Sequence, residues 1–187
     1  ATELRNRLRT ALLTFPNRPY QEFTDPNIDL TVSTEDTSII GKVLAGYQGW
    51  FNTPTDGSDL NWKHYQTSIS GVKKFEPGFT TVDYWPDMSE ADEDEKYSTA
   101  FTHKDQTAAH VFSSVNTKTV NRHFKWMNDY GIDGVFFQQF ASGLKSNAAR
   151  LKANDNLVFD NIIAAAQANN NRLVSVMYDL SGSNATS

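Results

Sequence analysis

Apolar residues fall along this chain in short runs that alternate with amphipathic stretches. Four runs read as strands: Ile40–Gly46, Gly78–Trp85 (ended by Pro86), Ile132–Phe140 and Arg172–Asp179. Each is short and rich in Val and Phe, as strands buried on both faces of a parallel sheet are. Between them the spacing turns helical. Val120, Phe124, Met127 and Tyr130 share one face of 119–130, with Thr119 as expected N-cap and Gly131 as stop. Leu157, Ile162, Ile163 and Ala166 do the same within 155–169, led by Asp155 and ended by Asn169-Asn170-Asn171. Trp62, Tyr65, Ile69 and Val72 predict a further helix over 61–75. The stretch 88–110, acidic at first, reads as a long loop or an irregular insertion.

Ahead of this pattern, Leu4, Leu8, Ala11 and Leu12 predict a short amphipathic helix within 1–15. Residues 16–38, with Pro16, Pro19 and Pro26 among Asp, Asn, Thr and Ser, read as an extended lead-in. The expected division is therefore 1–38 as lead-in and 39–187 as an α/β domain. Strands alternating with helices imply parallel strands joined by crossovers. Two closures follow, an open doubly wound sheet or a (β/α)8 TIM-type barrel. No Gly-x-Gly-x-x-Gly follows any strand, which removes the main support for a dinucleotide-binding sheet. A whole barrel needs roughly 250 residues, so 187 residues with four strands would hold about its first four βα units. Four units leave two sheet edges unpaired, and self-association or a carboxyl-terminal half is expected to cover them.

Polar and aromatic residues gather where each predicted strand stops. The groups are Tyr47, Gln48 and Trp50, then Asp83, Tyr84, Trp85 and Asp87, then Gln138 and Gln139, then Tyr178 and Asp179. Carboxyl ends of parallel strands form one rim, and ligands bind there. Carboxylates and amides beside aromatic plates suit a sugar, whose hydroxyls need donors and acceptors and whose C–H faces pack on rings. The bland alternative leaves Asp83 and Asp179 as caps and Trp50 as the lid of a core.

The first loop, Gly46-Tyr47-Gln48-Gly49-Trp50-Phe51-Asn52 continued by Asn61-Trp62-Lys63-His64-Tyr65, resembles glycoside hydrolase family 99 and 71-like proteins. That group includes endo-α-mannosidases, α-1,3-glucanases and proteins labelled xylosidase/arabinosidase. Val82-Asp83-Tyr84-Trp85-Pro86-Asp87 and Met127-Asn128-Asp129-Tyr130-Gly131-Ile132-Asp133-Gly134-Val135-Phe136 are similar to the same family. The resemblance spans about Gly41 to Asp179. It implies a (β/α)8 barrel acting on an α-linked glycan, an oligosaccharide or polysaccharide. It also implies sugar-contacting roles for Tyr47, Trp50, His64, Asp83, Tyr84 and Gln138, and for Tyr178 and Asp179. The family's catalytic glutamates belong to a later strand, in a Glu-x-x-Glu-like motif among tryptophans, and this chain has no such segment. Glu90-Ala91-Asp92-Glu93 has the spacing but no aromatic company, and reads as a solvated charge run. The catalytic residues are thus unassigned, and a non-catalytic carbohydrate-binding α/β module is the alternative.

Composition narrows the partners. Net charge is −5 with Lys and Arg scattered, so no basic face for nucleic acid is expected. No apolar run approaches the roughly 20 residues of a membrane span. Zero cysteines exclude disulfides, thiolate metal sites and cysteine nucleophiles. His64, His103, His110 and His123 lack His-x-x-x-His spacing, so no metal or other cofactor is expected. His123 reads as a packed core histidine, and His64 as the one facing substrate. A serine nucleophile of the Gly-x-Ser-x-Gly kind is absent. Asn184-Ala185-Thr186 matches a glycosylation acceptor. A start at Ala1 without methionine fits leader removal and an expected secreted or periplasmic setting.

Overall fold

Three of the four predicted runs pair side by side in one parallel sheet. The computed structural model describes residues 39–144 and 148–181, all in the larger of the chain's two units, which begins at Ile39. The expected helix over 1–15, the lead-in over 16–38 and the acceptor at Asn184 lie outside the described residues. In chain order the elements are β1 (Leu44–Tyr47), β2 (Thr67–Ile69), β3 (Val72–Lys74), β4 (Tyr97–Thr102) and β5 (Ala108–Val111). Then come α1 (Thr117–Asp129), β6 (Gly134–Phe140), α2 (Ala149–Ala168) and β7 (Leu173–Asp179).

The sheet runs β1-β6-β7, with Tyr47 opposite Phe137 and Phe140 opposite Asp179. Side chains alternate across its faces, and one face explains both helices. Tyr47, Val135 and Phe137 meet Val120, Phe124 and Met127 of α1 and Val158, Ile162, Ala165 and Ala166 of α2 in a single buried cluster. Both helices therefore cover the same face. Gly134 has to be glycine, because a Cβ there would lie 2.1 Å from the Leu173 carbonyl oxygen of the neighbouring strand. Gly49 is also crowded, though by side chains, its Cβ site being 2.5 Å from Val158 Cγ1.

The ends of α1 follow local rules. Its N-cap is Asn116, whose side chain accepts from the Lys118 and Thr119 backbone N–H groups. The expected cap, Thr119, instead directs its hydroxyl at Glu95. Gly131 stops the helix at φ +74°, and Ile132 N–H donates to the Met127 carbonyl at 2.8 Å, a Schellman closure.

Between β1 and α1 the chain builds a separate layer. Tyr65, Phe75 and Val111 form its buried centre, with Trp62, Val82, Trp85 and Phe101 packed around them. Here three expectations are corrected. Residues 61–75 do not form a helix. Ser70 and Gly71 take left-handed angles (φ 52° and 80°), which reverse the chain into the antiparallel β2–β3 hairpin. Gly78–Trp85 is not a strand, since beyond the single Glu76–Phe79 bridge it meets no ladder partner. Its Val82 and Trp85 fill the aromatic centre, and Trp85 Nε1 donates to the His110 carbonyl at 2.8 Å. The stretch 88–110 is neither loop nor irregular throughout, because it contains β4 and the start of β5, paired as a second hairpin.

The acidic run that opens this segment is exposed up to Asp94, but it is not merely solvated. Lys118 of α1 lies 2.8 Å from both Asp92 and Asp94, and Trp126 Nε1 donates to Glu90 at 3.0 Å. Glu95, its side chain 1% exposed, receives Arg122 of α1 at 2.5 Å. These contacts tie the inserted layer to the helix. No described helix is long and apolar enough to cross a membrane, and the described strands form no closed barrel.

Candidate functional site

The carboxyl ends of β1 and β6 open into a cleft of about 90 Å³. Trp50 is its floor. Its indole stacks on His64 (4.8 Å between centroids, 23° between planes) and on Phe140 (4.7 Å, 20°). Trp50 follows directly from Gly49, which lets the loop lie against Val158 and Phe137. His64 arrives from the inserted layer, in a loop with left-handed angles at Asp59, Asn61 and His64 (φ 58°, 53° and 60°). Such angles are sparsely populated outside glycine. They are held by Asn52 N–H bonding the Lys63 carbonyl at 3.3 Å and Tyr65 N–H bonding the Trp62 carbonyl at 3.1 Å.

Polar groups complete the walls: Lys63, Gln138, Asn154 and Asp155. Gln138 Nε2 donates to Asp179 Oδ2 at 2.8 Å. Asn154 is fixed from behind by buried Asn52, whose Nδ2 donates to Asn154 Oδ1 at 2.7 Å. Asn52 in turn rests on Asp56, which also accepts from Thr53 N–H, Ser58 and Ser113. The wall is thus held from below by a hydrogen-bonded network.

Burial sets the charges. It pushes the Asp155 carboxyl above the usual carboxylate range, against the opposing pull of Asn154 and Lys63. It lowers Lys63, where Asp155 opposes and Lys73 adds to the effect. His64 falls to about 4 through burial, then through the Lys63 charge, so its ring is neutral at pH 7. Asp179 is held low mainly by hydrogen bonds from Ser181, with Gln138 contributing. One carboxyl is thereby biased toward its protonated form and the other toward its ionised form.

The structure brings Trp50, His64 and Gln138 together, with Asp179 one hydrogen bond behind. It does not bring the other four to them. Tyr47 is 9% exposed in the helix-side core, its Oη 2.9 Å from His123 Nδ1 and its ring on Phe124. Strand alternation turned it inward. His123 is a packed histidine whose pKa burial lowers to about 4. Asp83 and Tyr84 lie on an exposed bend of the inserted layer, Tyr84 92% exposed. Tyr178, also exposed, alternates with Asp179 and so sits on the helix-side face of β7. Sequence reasoning missed Phe140, Lys63, Asn154 and Asp155. The first two sat beside chosen residues, but Asp155 was hidden by its reading as a helix start. Since α2 begins at Ala149, Asp155 lies inside the helix and faces the cleft.

A wider open groove, about 440 Å³, lies on the inserted layer between Trp85, Asp87, Glu93, His103 and His110. Its Trp85 stacks on buried Phe75 (5.9 Å between centroids, 9° between planes), and it opens beside the β4–β5 hairpin, with no residue from the ends of the parallel strands in its lining. Asp92, Asp94 and Glu95 place oxygens within 4.8 Å of one another, but Lys118 and Arg122 already supply the positive charge. No protein-family model, no curated protein and no solved structure matches this chain.

Proposed function

We propose that the strand-end cleft binds a saccharide, within a glycoside hydrolase-like protein of (β/α)8 type that acts on an α-linked glycan. The observation that carries this reading is the Trp50–His64–Phe140 platform bordered by Gln138, Asn154 and Asp155. A flat apolar face beside amides and a carboxyl suits the two-sided chemistry of a pyranose ring. The sequential strand order β1-β6-β7 with both helices on one face supports neighbouring units of a barrel. The first-loop motif supports the α-linked glycan, and such a substrate suits a secreted or periplasmic setting.

Glycoside hydrolysis commonly uses two carboxyl groups flanking the bond. Asp155, biased toward its protonated form, suits proton donation to a leaving oxygen, and ionised Asp179 suits the complementary role. A second reading is binding without turnover. It is favoured by Asp155 being the one carboxyl among the described residues that lines the cleft itself.

Calorimetry with manno- and gluco-oligosaccharides, paired with a reducing-sugar assay, tests both. Wild type is expected to bind, and Trp50→Ala to lose about tenfold in affinity, near 1.4 kcal/mol. Turnover abolished by Asp155→Asn supports the hydrolase, whereas binding without turnover supports the second reading. Trp50→Ala binding as tightly as wild type would overturn the proposal.

A further inference from the structure

We infer that the saccharide taken by this cleft is an acidic one, whose carboxylate or sulfate group is held by Lys63 and Lys73. The inference rests on the saccharide reading above and narrows it to a substrate class.

The cleft continues past Lys63 and His64, which line both spaces, into an open groove of about 300 Å³. That groove is walled by Gln66, Thr67, Ser68 and Lys73 of the β2–β3 hairpin. Six other described cations are matched with acids. Lys74, Lys96, Lys118, Arg122, Lys125 and Arg150 each have a carboxylate within ion-pair distance. Lys42, Lys104, Lys152, Arg172, Lys63 and Lys73 have none among the described residues, and of these Lys63 and Lys73 line one groove together. Burial first, and then the Lys73 charge, raises the cost of charging half-buried Lys63, with Asp155 opposing. Two like charges gathered with no carboxylate within ion-pair distance, in a chain of net charge −5, produce a local positive field against the acidic average.

An anion settles that field. Asp155 lines the cleft and not the groove, and it attracts Lys63 from beyond ion-pair distance, so the groove keeps its positive charge. The neutral His64 ring adds no charge and leaves the stacking surface apolar. A sugar ring resting on Trp50 would therefore project an acidic substituent toward Lys63, with Lys73 on its far side. Lysine suits this task, because a compact ammonium on a long stem follows a ring carboxylate or a sulfate ester alike. Hydroxyls of Thr67 and Ser68 stand nearby as further donors. A neutral glycan would instead leave both ammonium groups unmatched.

The test is calorimetric titration of the 187-residue chain with four tetrasaccharides. They are tetragalacturonate, a sulfated carrageenan tetrasaccharide, and the neutral maltotetraose and mannotetraose. At least one acidic ligand should bind about tenfold tighter than the neutral pair, and the advantage should shrink as salt rises. Which acidic ligand wins distinguishes carboxylate from sulfate. Lys73→Ala, an exposed hairpin change, should lose about tenfold on that ligand, the 1.4 kcal/mol of one charge-assisted contact, and leave neutral binding unchanged. An unaltered melting curve shows the variant folded. Neutral ligands binding as tightly as both acidic ones, or Lys73→Ala behaving as wild type, would overturn the inference while the saccharide reading stands. Absence of binding by every tetrasaccharide would overturn the saccharide reading itself.

Discussion

Replacing Glu95 with alanine should cost more stability than any exposed acidic change in this protein. Its side chain is 1% exposed and accepts from Arg122 Nη2 (2.5 Å), Arg122 Nε (3.0 Å), Thr119 Oγ1 (3.2 Å) and Asp92 N–H (2.8 Å). Removing it strands a guanidinium, a hydroxyl and an amide. Breaking a buried pair costs roughly 3–5 kcal/mol. Arg122 is 22% exposed and keeps Asp92 at 3.5 Å, so the low end, about 3 kcal/mol, is expected. With a urea slope of roughly 1–3 kcal/mol per molar, the unfolding midpoint should fall by about 1–3 M. Tryptophan fluorescence in urea measures it.

The effect has a pH signature. Burial pushes the Glu95 carboxyl up, but bonds from Arg122, Asp92 N–H and Thr119 prevail and leave it below its ordinary value. A depressed carboxyl stabilises the fold above the unfolded value, about 4.3, and that contribution is lost as pH falls through the folded value. The gap between wild type and Glu95→Ala should therefore narrow below about pH 4. Replacing both partners, as Glu95→Leu with Arg122→Met, should recover much of the loss. A single variant whose midpoint stays within about 0.3 M of wild type would refute the reasoning, since only a pair of no net worth behaves so.

Two further outcomes follow from close geometry and from burial. Gly134→Ala must part β6 from β7, because its Cβ would lie 2.1 Å from a backbone oxygen. A loss of about 3 kcal/mol or more is expected in urea unfolding, with Gly46→Ala, whose Cβ meets nothing within 4 Å, as the unaffected control. Asp155→Asn should raise the melting temperature at pH 7 by a few degrees. A carboxyl raised by burial stabilises the fold fully below its unfolded value and loses that as pH rises through the folded one. Differential scanning fluorimetry should show the gain vanish near pH 3.5, and an equal gain at both pH values would contradict it.

What the chain discloses on inspection follows from which interactions are local. β6 and β7 are dense apolar runs beside helices whose stripes repeat correctly, so their type was legible. Gly131 likewise announced the end of α1. The inserted layer was not legible for a different reason. Trp62 and Tyr65 keep helical spacing, yet they face each other edge-on at 80° and pack on Phe75, contacts that no window of neighbours contains. Ser70-Gly71 was the available turn signal, and it was outweighed by that spacing. Gly78–Trp85 has strand composition without a ladder, because its aromatics are used to fill a centre. At the site, Trp50, His64 and Gln138 could be named from the strand ends. Lys63 and Asp155 acquire meaning only when the insertion and α2 come to the same rim.

The placement of that insertion also favours one order of assembly. Val43 and Asp133 exchange hydrogen bonds across 90 residues of chain, a contact whose entropic penalty grows with the loop closed. If the two hairpins and their aromatic centre condense first, much of that loop is already drawn in, and the remaining search is short. β1 then docks last, carrying Trp50 into a rim whose other members are already in position. The site would be completed by the final step of folding, and partly folded chains would lack it.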